Sequence, residues 1–349
     1  MKSKQSELKK IKVEDAIGLT LAHDITEIRP DEFKGVSFSK GYTVKASDVC
    51  HLMRLGKRHL YILDLDDRRI HEDEAVFELV QALSGPGIIY EEKPKEGKLQ
   101  LKAAFDGLVK INVDALIAFN MIPDVMCASI HTNTPVKKGD KLAGTRAIPL
   151  IIDRDVLTKA VNIAKANAPV FEVKPYKKAS ARLVITGSEI YDGLIEDKFE
   201  AIVRKKIESY GSTLSEVAIL PDDRLRIGKT VKDYLKKDTD IIITTGGMSV
   251  DPDDVTRHAI KDAGADQIHY SAAALPGAMF QLAYCNDIPI IGIPACGLYH
   301  EATVFDLILP RLLAGETPDN KDLARLAHGG LCLDCDTCSF PKCSFGKSV

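Results

Sequence analysis

The stretch DIIITTGGMSVDPDDVT, residues 240–256, decides the fold. It opens as an unbroken apolar run, turns on two adjacent glycines and ends in the acidic start of a helix. A strand buried on both faces needs such a run rather than alternation. The glycines let backbone come close to a ligand. The free N–H groups of a following helix suit a phosphate or another anion. Working outward, ARLVITG (181–187) and IPIIGIPA (288–295) repeat the buried-strand pattern, and TLSEVAIL (213–220) is strand-like. Between and after them, residues 197–210, 222–237, 251–264 and 298–315 have helical periodicity. Strands alternating with helices of this length predict a parallel α/β sheet. Right-handed crossovers put the carboxyl ends of its strands on one edge, where ligands of open α/β sheets bind.

The rest of the 349 residues bounds what the protein does. An apolar fraction of 45% and a charged fraction of 28% exclude collagen-like, disordered and small disulfide-scaffold classes. With 47 basic and 50 acidic residues the net charge is -3, so nothing in the bulk charge draws nucleic acid or an acidic membrane. Trp is absent and aromatics are 6%, which argues against a carbohydrate or base-stacking surface. No apolar run reaches the roughly 18 residues of a spanning helix. The basic start lacks the apolar segment of a signal peptide, so a cytoplasmic location is expected. Four regions separate by texture: an α+β region (1–87), a β-rich region with a linker helix (88–178), the α/β domain (179–316) and a Cys-rich tail (330–349). Helices are expected at 47–55, 72–83 and about 154–167, with a strand at 59–63.

Residues 244–256, TTGGMSVDPDDVT, closely resemble the signature of the molybdopterin-binding domain of molybdenum cofactor biosynthesis proteins. ITGSEIYDGLIEDKF (185–199) is similar to that family's first strand and loop, and AILPDDRLRI (218–227) to its acidic element. LPGAMFQLAY with IIGIPACGLYHEATVFDLILPRLLAG, together within 275–315, resembles the molybdotransferase ending. VEDAIGLTLAHDITEI (13–28) is similar to the molybdotransferase opening. The resemblance implies a phosphate and pterin site built from Gly187, Ser188, Thr245, Gly246, Gly247, Ser249, Asp253, Thr256, Pro276, Gly277 and Pro294. It implies that Asp254, Asp197 and Asp223 hold Mg²⁺ or help cleave an adenylyl bond. By residue type alone these acids and hydroxyls are also ordinary helix caps and turn residues. The sequence departs from the family where lysines flank its Pro-Gly: Leu275 and Ala278 stand there.

Of the eight cysteines, Cys50, Cys127, Cys285 and Cys296 are scattered in apolar contexts and are expected to be buried thiols. Cys332, Cys335, Cys338 and Cys343 cluster in the tail. Four thiols within twelve residues can wrap one metal centre, either an iron–sulfur cluster, [4Fe–4S], or Zn²⁺. No apolar run in the tail suggests that it folds by burial alone. His300 and the other histidines lack metal spacing.

Two functions of different class follow. One is a molybdotransferase-like enzyme that takes adenylylated molybdopterin and molybdate. The other is a non-catalytic carrier or insertion chaperone that hands the cofactor to a molybdoenzyme. The family resemblance implies a homodimer.

Overall fold

The computed structural model describes residues 10–29, 33–62, 68–248 and 255–347. The chain divides into two compact units. The first takes Met1–Lys102, Asn112–Ser129 and Lys141–Phe171; the second takes Ala103–Ile111, Ile130–Asp140 and Glu172–Val349. The region expected at 88–178 therefore contributes strands to both.

In the first unit, helix Glu72–Leu83 matches the acidic-first, apolar-faced reading of its sequence. Its N-terminus is capped by His71, whose ring Nδ1 accepts from the Asp73 N–H at 3.1 Å. The helix expected at 47–55 runs Val49–Arg54, and Ser47 lies in the preceding 3₁₀ turn, Ala46–Asp48. The linker helix is Arg154–Ala166. A four-stranded sheet has the order Ile88–Tyr90, Lys98–Ala103, Lys141–Ala147, Val125–Ser129.

The second unit is built on a six-stranded sheet. Its elements in chain order are β1 (Ser180–Thr186), α1 (Phe199–Ser209), β2 (Thr213–Leu220), α2 (Arg224–Leu235), β3 (Ile241–Thr245), α3 (Thr256–Asp262), β4 (Gln267–Tyr270), β5 (Gln281–Cys285), β6 (Ile288–Ile293) and α4 (Val304–Leu313). The strand order is β2-β1-β3-β6-β5-β4. Strands β2, β1, β3 and β6 are parallel, as the apolar runs predict. The all-parallel expectation is corrected at the other edge. Strand β5 pairs antiparallel with both β6 and β4. Only Asn286 and Asp287 join β5 to β6, and Asn286 takes a positive φ of 53°. A two-residue link can join antiparallel strands but not parallel ones.

The core lies on both faces of this sheet. On one face, Leu183, Ile185, Ile243, Ile291 and Ile293 pack with Phe199, Val203 and Ile207 of α1 and Phe305, Ile308 and Leu309 of α4. On the other, Val184, Ile242 and Ile290 meet Ile227 and Val231 of α2 and Ala259 and Ile260 of α3. Each such side chain contributes about 1.5–3 kcal/mol when fully buried. Two-sided burial is the physical reason that β1, β3 and β6 carry no alternation.

Helix α4 is shorter than its periodicity suggested. It starts at Val304 because Thr303 caps it: the Thr303 hydroxyl accepts from the Phe305 N–H, and Asp306 accepts from the Thr303 N–H. Among the described residues no helix is long and apolar enough to cross a membrane.

Candidate functional site

Strand order reverses between β1 and β3. The chain leaves β1 for β2 on one side and returns to β3 on the other, which opens a crevice at their carboxyl ends. Thr186 and Gly187 follow β1 there, and Thr245, Gly246 and Gly247 follow β3. Gly246 has a φ of 81°, and a Cβ on it would lie 2.1 Å from the Thr186 carbonyl oxygen. Only glycine fits, because both the backbone and the neighbouring strand end exclude a side chain. Gly247 has a φ of 58°, and its Cβ would lie 2.4 Å from the Thr256 hydroxyl oxygen. The Thr186 hydroxyl lies 3.0 Å from the Thr245 carbonyl, to which it donates, and 3.0 Å from the buried Thr256 hydroxyl. Thr186, Thr245 and Thr256 thus clamp the two strand ends to the start of α3. The Thr245 hydroxyl itself is buried without a partner among the described residues.

Met248 continues the turn inward. Its side chain is buried, and a Cβ added at Gly292 would lie 2.2 Å from its Cε, so Gly292 leaves the groove that it fills. The Tyr270 hydroxyl donates to the Met248 carbonyl at 2.9 Å. The Arg257 guanidinium lies 4.1 Å over the Tyr270 ring and fixes it.

A cavity of about 710 Å³ opens beside the glycine turn. Of the expected residues it is lined by Gly246, Gly247, Pro276, Gly277 and Pro294. Gly187, Ser188, Thr245 and Thr256 sit at the same strand ends without lining it. Gly277 has a φ of 122°, and a Cβ there would lie 2.6 Å from a Val304 methyl carbon. Met248, Leu275 and Met279 supply apolar wall, while Cys296, His300, Cys332 and Asp334 supply polar atoms. Sequence reasoning missed these last four as cavity residues. No local signal marks them, because they come from two segments more than 30 residues apart. Among the described lining residues there is no Lys or Arg, in keeping with Leu275 and Ala278 in place of lysines.

Two of the expected acids serve as caps. Asp223 accepts from the Leu225 and Arg226 N–H groups at 2.9 and 3.1 Å. Asp197 accepts from the Phe199 and Glu200 N–H groups, both at 2.9 Å. Both carboxylates are thus engaged by backbone at the start of a helix. The neighbouring Asp222 holds Ser188 through the N–H at 2.8 Å and the hydroxyl at 3.1 Å. Ser249, Asp253 and Asp254 lie outside the described residues. Among the described residues no group of three or more His, Cys, Asp or Glu side chains could hold a metal ion as placed. The expected Mg²⁺ therefore has no described ligand set.

The expectation of four scattered buried cysteines holds fully only for Cys127. Cys50 is exposed, and Cys285 and Cys296 are half-buried. Burial pushes the Cys127 thiol up to about 12. Burial also raises the Cys296 thiol, against the opposing pull of the Cys296 and Gly297 N–H groups.

The comparisons with known proteins fit this site. Residues 182–314 match the family described as a probable molybdopterin binding domain, and residues 10–64 match a domain of unknown function. The molybdopterin molybdenumtransferase of Bacillus subtilis is 26% identical over 330 residues, covering 90% of this chain and 73% of that protein. That of Haemophilus influenzae is 23% identical over 211 residues, covering 58% of this chain and 49% of the relative, about half its length. The crystal structure of the molybdopterin biosynthesis enzyme MoaB from Thermus thermophilus aligns with 40% of this chain and 98% of its own, at 16% identity and a TM-score of 0.34. Residues 182–314 are thus similar to a probable molybdopterin binding domain, and the chain is similar to the molybdopterin molybdenumtransferases.

Proposed function

We propose that the cavity beside Gly246 and Gly247 binds molybdopterin or its adenylylated form, and that the protein acts in molybdenum cofactor biosynthesis at the step of molybdate insertion. The observation that carries this reading is the glycine turn at the switch point, within the matched range 182–314, opening on a cavity of about 710 Å³. The ligand has a phosphate, a flat polar pterin and a dithiolene. Backbone N–H groups at the turn suit the phosphate. The wall of Met248, Leu275, Pro276 and Met279 suits the faces of the pterin. With no Lys or Arg among the described lining residues, binding rests on backbone donors and shape. Asp197 and Asp223 act by holding α1 and α2, and so the crevice, in place.

One observation favours a carrier over a catalyst: Leu275 and Ala278 leave the cavity without the two cations that would hold molybdate or a leaving phosphate. A carrier would bind the cofactor here and pass it to a molybdoenzyme. The first test is pterin content. The full chain is purified without oxygen from a cofactor-producing host and oxidised, and the fluorescent pterin released is measured. Stoichiometric pterin, lost in Gly246→Val, is the expected result. No pterin, under conditions where a molybdenumtransferase retains it, would sink both readings. Incubation with adenylylated molybdopterin and molybdate then separates them, because a catalyst releases AMP and a carrier does not.

A further inference from the structure

Beside the cofactor cavity lies a second one of about 280 Å³, and Cys332, Cys335, Cys338 and Cys343 all line it. The two cavities share His300, Leu331, Cys332 and Asp334. The segment that carries the thiols is folded onto the domain at both ends. At its start, Leu275 N–H donates to the Gly330 carbonyl and Cys332 N–H to the Leu275 carbonyl, each at 2.8 Å. Gly330 is wedged so tightly that a Cβ would lie 2.3 Å from the Leu326 carbonyl oxygen. At its end, Gly346 N–H donates to the Gly329 carbonyl at 2.9 Å, which closes the segment into a loop. Phe345 is 2% exposed within the main core and meets the Phe340 ring edge-on at 6.5 Å. Phe345 thus ties the tail to the core, although the segment has no apolar run of its own. Between these anchors the thiols themselves are held less tightly: Cys332 and Cys343 are half-buried, and Cys335 and Cys338 are exposed.

We propose that Cys332, Cys335, Cys338 and Cys343 ligate an iron–sulfur cluster in the 280 Å³ cavity, which thereby forms one wall of the cofactor cavity. The donor set is all sulfur, which selects soft metal centres over Mg²⁺ or Ca²⁺. Spacing then separates the two soft candidates: C-x2-C-x2-C-x4-C differs only in its last gap from the C-x2-C-x2-C-x3-C run of iron–sulfur proteins. All four thiols line one cavity of about 280 Å³, although as placed no three of them close on a single point. Ligation needs no redox step at sulfur. Each S–H bond breaks, the proton goes to solvent, and the sulfur lone pair bonds to iron.

The test uses the full chain, purified without oxygen, with iron, acid-labile sulfide and zinc measured together. A host unable to make molybdopterin is used in parallel, so that failure of the cofactor reading and failure of this one are distinguishable. About four iron and four sulfide per chain are expected in both hosts. Cys335→Ser and Cys338→Ser, at exposed positions where folding is not at stake, should lose most of the iron, whereas Cys50→Ser should keep it. Stoichiometric zinc without sulfide overturns the proposal. So does a chain that takes up neither metal when offered iron and sulfide under thiol reductant, or iron that survives both serine variants.

Discussion

Adding a single methyl group at Gly246 tests the site geometry most directly. Gly246→Ala carries two costs. A left-handed φ of 81° penalises any L side chain by about 1–2 kcal/mol. The new Cβ would also lie 2.1 Å from the Thr186 carbonyl oxygen and 2.7 Å from its hydroxyl. Those atoms belong to the neighbouring strand end and cannot swing away, so overpacking adds about 1–3 kcal/mol. Gly211→Ala is the matched control. Its φ is 75°, but nothing lies within 4 Å of the Cβ position, so it carries the first cost alone. The difference, about 1–3 kcal/mol, corresponds to roughly 2–12 °C of Tm in a domain of 150–250 residues. Scanning calorimetry, which resolves separate unfolding transitions, would read it. Pterin retention should fall in Gly246→Ala and stay intact in Gly211→Ala. Equal Tm losses in the two variants would refute the reasoning, because the close approach of the two strand ends would then cost nothing.

The remaining predictions address the acids, the turn and pH. Asp223→Ala should lower stability by about 1 kcal/mol through the lost cap, while Asp223→Asn, which keeps an acceptor, should be near neutral; loss of turnover in the Asn variant at unchanged Tm would show instead that the charge itself is needed. Tyr270→Phe removes the donor to the Met248 carbonyl and should cost about 0.5–1.5 kcal/mol, with pterin affinity in equilibrium titration falling alongside it; an unchanged affinity would dissociate this bond from the site. The Glu316 carboxyl is raised by burial, but Lys110 and Arg311 outweigh that and hold it below its usual 4.5. Because the folded-state value is depressed, its stabilisation is complete above pH 4.5 and is lost as pH falls through the lower folded value. Glu316→Gln should therefore be less stable than wild type at pH 7, with the gap in urea midpoints closing below about pH 4.5; a gap that persists at acid pH would assign the loss to packing.

How much of this was legible in the sequence depends on the range of the forces involved. The buried strands and their helices were readable because two-sided burial and helical periodicity are local patterns. The start of α4 at Thr303 was also writable in principle, since Thr303 and Asp306 form a short-range capping pair. The antiparallel edge was not read, because QLAYC is short and its turn rests on Asn286 at a positive φ rather than on a glycine. The turn residues Gly246 and Gly247 were readable as an adjacent pair, and the structure gives the reason: a Cβ at either would run into Thr186 or Thr256. The other wall of the cavity was not, because His300 and Asp334 meet through tertiary folding alone. Spacing within the Cys segment grouped its four thiols but did not say where the segment docks.

That docking point joins two departures from the family that looked separate in the sequence. Leu275 stands where the resembled family carries a lysine, and its side chain is exposed at the cavity rim. Its backbone N–H and carbonyl both bond to the tail, to Gly330 and Cys332. A residue hydrogen-bonded on both sides to an added segment sits at that segment's edge, where a long cationic side chain would have to share the cavity mouth with Leu331, Cys332 and Asp334. Leu275 and the cysteine segment therefore meet at one place, and Cys332 shares the cavity wall with Leu275. Adding a positive charge there tests whether the two are coupled. Leu275→Lys should leave stability within about 0.5 kcal/mol of wild type, as expected for an exposed position. If the tail has taken over the role of the lysine, the variant should gain little pterin affinity while the tail is intact and more when Cys332→Ser accompanies it. Equal gains in the two backgrounds would mean that the lysine and the tail act independently.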